Sequence, residues 1–97
     1  MSEVNDYLIL RELDEAITRE QLGDAVEASG NTLQQLREEG VDIEWVDSEV
    51  MTDDSGGVVG TFCHYRAESE DAVREHADRA GLPATKVTQR GSPLDGE

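Results

Sequence analysis

Two strand-like runs, VDIEWVDSEVM (41–51) and VVGTFCHYRA (58–67), lie either side of TDDSGG (52–57). The intervening residues bond their own backbone or tolerate turn conformations, so the segment predicts an antiparallel hairpin in the middle of the chain. A two-stranded hairpin is only marginally stable in water. Its flanks must supply further strands and a cover, and that demand narrows the fold more than any other feature. The first run alternates through Val41, Ile43 and Trp45, then changes phase to Val46, Ser48 and Val50. A change of phase moves side chains to the other face of a strand, so a β-bulge is expected near Trp45–Val46.

The flanks have the right patterns. YLIL (7–10) is a short continuous apolar run, as in a strand buried on both faces, and RELDEAI (11–17) reads as a connector. Thr18 and Gln21 form a capping-box pattern at the start of a helix. Leu22, Val26, Ser29, Leu33 and Leu36 follow at helical spacing as its buried stripe, and Gly40 supplies the stop. Gly30, inside this helix, predicts a close contact or a kink, since glycine there costs up to ~1 kcal/mol against alanine. After the hairpin, Ser69 caps a second helix with Glu70 and Asp71 in its first turn, and Gly81 and Pro83 end it. ATKVTQ (84–89) predicts a last short strand, and RGSPLDGE ends the chain.

The order is β-α-β-β-α-β, so the expected class is α+β. The expected fold is ferredoxin-like, a four-stranded antiparallel sheet with two helices on one face and the first and third strands central. One domain is expected over 1–90, with a disordered acidic tail over 91–97. A chain of 97 residues with 4% aromatics builds a modest core. Burial of the open sheet face against a second copy, a homodimer through the sheets, is therefore expected.

The chain carries 23 acidic and 8 basic residues, a net charge of −15. At molar salt the Debye length falls to about 3 Å and the self-repulsion is screened, so the charge reads as adaptation to a salt-rich cytoplasm. No basic patch is available to release counterions, which argues against nucleic-acid binding. The longest early apolar run is far short of the roughly 20 residues of a membrane span. MSEVND lacks the basic start of a signal peptide. Cys63, the only cysteine, excludes an internal disulfide and fits a reducing compartment. A cytoplasmic protein without a membrane partner is expected.

Chemistry concentrates around His76. In the second helix it shares the apolar stripe with Ala72, Val73, Ala77 and Ala80, so it points at the sheet. It lies about 10 Å along the helix from Ser69, level with Cys63, about 13 Å back along the preceding strand. If the Cys63 face of that strand is covered, His76, Cys63 and Tyr65 converge; if the other face is covered, His76 meets His64. Imidazole suits Ni, Cu, Zn and Fe, and a thiolate beside it favours the softer or borderline divalent transition metals. An enzyme, of cofactor-poor oxygenase or isomerase type, would instead use His76 as acid or base, Tyr65 as proton donor and Arg11 as anion anchor. A core histidine bonded to Tyr65 or a carbonyl, in a dimerising domain without a site of its own, is the third reading. Asp53 and Asp54 are explained by the turn.

YLILREL, WVDSEV (45–50), FCHYRA (62–67) and above all EDAVREHADRAGLPATKV (70–87) resemble a family of small prokaryotic nickel-binding-protein-like domains. The resemblance implies a ferredoxin-like dimer and transition-metal binding in some members. His76, Cys63 and Tyr65 occupy the matching positions. The chain departs from the family pattern at Leu10 and Arg66, where acids are usual, and at Glu49, where an aromatic is usual; His64 is an uncommon residue at its place. The leading expectation is a metal-binding protein for nickel storage, buffering or sensing, with His76 as main ligand and Cys63, Tyr65 and His64 as further candidates.

Overall fold

A computed structural model of the chain describes residues 3–92, 94 and 96. The elements are β1 (Asn5–Ile17), α1 (Arg19–Glu38), β2 (Ile43–Thr52), β3 (Val58–Ala67), α2 (Glu70–Ala80) and β4 (Lys86–Gln89). They form one antiparallel sheet in the order β2-β3-β1-β4, the ferredoxin-like arrangement, with β1 and β3 central. Among the described residues no helix is long and apolar enough to cross a membrane. The disordered tail expected over 91–97 falls partly on residues 93, 95 and 97, which lie outside the described residues.

Local chemistry accounts for the helix ends. Thr18 Oγ1 accepts from Gln21 N at 3.1 Å, and Gln21 Oε1 accepts from Thr18 N at 2.9 Å. Two orphan donors are thereby satisfied reciprocally. Ser69 Oγ accepts from Ala72 N at 3.1 Å. The left-handed turn at Gly81 (φ 71°) lets Leu82 N donate to Ala77 O at 2.9 Å.

Two expectations are corrected. RELDEAI is a continuation of β1: pairing with β3 runs to Glu12↔Gly60, breaks, and resumes at Ile17↔Val58. The β3 backbone pairs with Arg11, Glu12 and Ile17, on either side of an irregularity, although charged residues break the apolar run. Gly30 makes no close contact, since a Cβ built on it would meet nothing within 4 Å. The close approach is at Gly60 instead, where a Cβ would collide with the backbone oxygen of Arg11. The bulge is where the phase change puts it: Trp45 pairs with Tyr65 and Asp47 with His64, leaving Val46 extra.

Both helices cover the face carrying Tyr7, Ile9, Ile43, Cys63, Tyr65 and Ala67, which pack with Leu33, Leu36, Ala72 and Val73. Val26 is 62% exposed although it lies on the expected α1 stripe. The C-terminal half of α1 is thus seated on the sheet, while its N-terminal half stands over a gap. On the uncovered face Leu8 and Leu10 are half-buried, and Phe62, opposite Leu10, is exposed.

Candidate functional site

Cys63 and Tyr65 lie on the helix-covered face, 5% and 3% exposed, whereas His64 points to the open face. The Cys63 face is therefore the covered one, and His76, wholly buried, stands against Tyr65 with ring centroids 5.2 Å apart. Ser29 of α1 joins them. Its Oγ lies 3.0 Å from His76 Nε2 and 3.3 Å from Tyr65 Oη, and its carbonyl oxygen lies 3.3 Å from the same nitrogen. A carbonyl only accepts, so the neutral imidazole carries its proton on Nε2. Nδ1 is then a bare acceptor, buried without a partner.

Burial pushes the His76 pKa down to about 4; the nearby Arg11 charge acts in the same direction, and the Ser29 carbonyl opposes both. Burial likewise raises the Tyr65 phenol, so it stays protonated at neutral pH. Cys63 Sγ lies 3.4 Å from Thr61 Oγ1. On the open face His64 Nε2 meets Asp6 Oδ1 at 2.6 Å, and Arg66 Nε donates to the same oxygen at 3.1 Å. The His64 hydrogen bond is the main reason the Asp6 carboxyl is held below its usual range.

Thus the structure brings His76, Cys63 and Tyr65 to one face and leaves His64 on the other. Among the described residues no three His, Cys, Asp or Glu are placed to hold a metal ion. Ser29 holds His76 Nε2, so the lone pair left for a ligand is on Nδ1, and a guanidinium stands over Tyr65, its Cζ 5.8 Å from the ring centroid. A buried cation so close raises the cost of placing a dication beside the phenol.

The gap under α1 is a cleft of about 220 Å³. The bulge at Val46 shapes it. By slipping the phase, the bulge turns Trp45, Ser48 and Val50 all toward the helix side, and the three line one wall. Trp45 Nε1 donates to Ser48 Oγ at 2.8 Å, which fixes the indole across the bulge. Val26 and Gly30 of α1 form the opposite wall, and Arg11, Cys63 and Tyr65 contribute from the central strands. Gly30 leaves room where any side chain would project. Arg11, also expected as a candidate, is 4% exposed; its Nη1 donates to Pro83 O at 2.8 Å, and its Nη2 is buried without a partner. Ser29 and the bulged wall were not singled out as site residues from sequence; a serine within an apolar helical stripe was the available signal.

Residues 7–89 match the family model described as "Nickel responsive protein SCO4226-like". Among solved structures, the chain is similar to SCO4226 from Streptomyces coelicolor A3(2), with a TM-score of 0.64 and 20% identity over 94% of this chain and 99% of that one. At that identity the likeness carries the fold alone. No curated protein matches the chain. A match over nearly all of the folded region, on a sheet of the same architecture, decides the assignment: the chain belongs to the nickel-responsive SCO4226-like family.

Proposed function

We propose that the chain is a non-catalytic binding protein that takes a small organic molecule in the cleft between α1 and the helix-covered face of the sheet. The cleft itself carries the reading. At about 220 Å³ it has several times the roughly 30 Å³ share of one water in the liquid, a volume for a molecule rather than an ion. Its walls are mostly apolar, with a few polar groups converging from β1, β3 and α1, the usual composition of a ligand site. His76 lies behind Ser29 with no exposed surface, which supports binding over acid–base chemistry. The test is a fragment screen on the full chain, followed by amide shift mapping. Shifts clustered on Ser29, Gly30, Trp45, Ser48, Thr61 and Cys63 are expected; a screen in which no fragment moves them overturns the reading.

A second reading, uptake of nickel or a similar divalent metal for storage, buffering or sensing, is favoured by the family match. It requires donors beyond those one protomer brings together. Pairing of two copies through the uncovered face, where Leu8, Leu10 and Phe62 form an apolar strip, would be the source. Nickel calorimetry on wild type and His64→Ala, which removes the histidine of the uncovered face, in molar KCl, with light scattering on the same samples, tests both parts. Stoichiometric heat lost in the variant and a dimeric mass are the results this reading expects; no heat from wild type ends it.

A further inference from the structure

We propose that the cleft's ligand is a small organic anion, an apolar body with one carboxylate-type head, and that the head pairs with Arg11. The inference rests on the cleft reading and adds the chemical class. It starts from an imbalance in the core. Arg11 is buried on β1, two residues from fully buried Ile9 and opposite Thr61 of β3. Among the described residues no carboxylate lies within ion-pair distance of it, although the chain has 23 acids. Every other arginine in an ion pair, Arg66, Arg74 and Arg79, is on the surface. The acids thus pair at exposed positions, while the buried cation has none.

An isolated buried charge carries a desolvation cost of several kcal/mol unless something compensates it. The Pro83 carbonyl and the Tyr65 ring face supply part of that compensation. Among the described residues nothing accepts from Nη2. A guanidinium with one edge unused matches the planar fork of a carboxylate, and it selects for that geometry more sharply than an ammonium would. One cation in a mostly apolar cleft suits a monoanion; a phosphate dianion would ask for several donors. The remaining volume, bordered by Leu22, Val26, Leu33, Trp45 and Val50, accepts the apolar body. Nη2 exposes no surface to water, so the head must part the lining side chains to reach it. Trp45, the single tryptophan, stands in that lining and reports the event.

The experiment titrates the full chain in molar KCl with straight-chain monocarboxylates from butyrate to octanoate and with phenylacetate, each beside its amide. Trp45 fluorescence and amide shifts are the readouts. High salt screens the repulsion between a −15 protein and an anion. Wild type is expected to prefer at least one carboxylate over its amide by about tenfold or more, Arg11→Met to lose that preference, and Gly30→Leu, which fills the cleft and leaves Arg11 untouched, to weaken both ligands. Equal binding of acid and amide overturns the anion class and leaves the cleft reading standing. Carboxylate binding undiminished in Gly30→Leu overturns the site, and no binding of any probe together with a silent fragment screen overturns both. The wild-type comparison needs no variant, so the test holds even if Arg11→Met fails to fold.

Discussion

Protonating His76 should weaken the fold by an amount that follows from its surroundings. In the unfolded chain the imidazole titrates near its ordinary 6.5; folded, burial lowers it to about 4. Between those values the unfolded state binds more protons than the folded state, so stability falls as pH falls and is complete above the unfolded value. At roughly 1.4 kcal/mol per pH unit, the full loss below both values is about 3 kcal/mol. About 2 kcal/mol of it has gone by pH 5. A domain of this size has only ~5–15 kcal/mol in hand, so the effect is large enough to measure by urea unfolding. Carboxylates also titrate in acid, and Asp6 and Glu39, held low by hydrogen bonds from His64 and Arg79, contribute in the same direction. The control is His76→Gln, which keeps an amide donor for the Ser29 carbonyl and removes the titration. In molar KCl the wild-type stability should drop between pH 7 and 5, while that of His76→Gln stays nearly level. The chain has two histidines, so NMR of the ring protons can follow the His76 titration directly. Parallel stability curves, or a folded-state His76 midpoint at pH 6 or above, would refute the reasoning.

Other substitutions test the architecture. Gly60→Ala forces a Cβ onto the Arg11 carbonyl where β1 and β3 approach most closely; a loss of at least ~2 kcal/mol in urea unfolding is expected, with overpacking of a central strand pair as the cause. Thr18→Ala removes one half of the capping box and should cost about 1 kcal/mol of stability with little change in the cleft. Gly30→Ala meets no neighbour within 4 Å and should raise stability by up to ~1 kcal/mol through helix propensity, measured as an increase in Tm; a decrease would mean that the helix depends on a feature of glycine other than its size.

How far the sequence carries the fold depends on which signals are local. The capping box at Thr18 and Gln21 and the bulge at Val46 are written in a few adjacent residues, and both are legible. The continuation of β1 through Leu13–Ile17 is not, because only Leu13 and Ile17 are half-buried there and the charged residues between them read as loop. Which face of β3 the helices cover is also hidden: Phe62 lies on one side, Cys63 and Tyr65 on the other, and a period of two marks both as apolar. Tertiary packing decides, by giving the fully buried position to Cys63 and Tyr65 and leaving Phe62 43% exposed. The burial of Arg11 is illegible for a related reason. An arginine directly after YLIL looks like the wet end of a strand, and only the Pro83 carbonyl, arriving from a segment 72 residues away, keeps it inside.

The positions that break local rules are informative together. A glycine interrupts α1, a serine interrupts its apolar stripe, an extra residue interrupts the ladder of β2, and an arginine occupies a core position of β1. Each lowers stability at its own site: by helix propensity, by lost apolar burial, by a disrupted ladder or by an uncompensated charge. Independent defects would be scattered. These converge, since Gly30, Ser29 and Arg11 line the same cleft, and so do Trp45, Ser48 and Val50, which the bulge turns toward it. A small domain with few aromatics has little stability to spare, and filling this gap with leucine and removing the buried charge would have been the simpler core. Departures from local consistency that gather in one cavity are the pattern expected of a site kept for a ligand. On that argument Arg11→Met should leave Tm unchanged or higher, because it replaces an unpaired cation by an apolar chain of similar reach, and the same variant should lose its preference for carboxylates. A fall in Tm of the size seen for Gly60→Ala would instead place Arg11 among the residues that hold the fold.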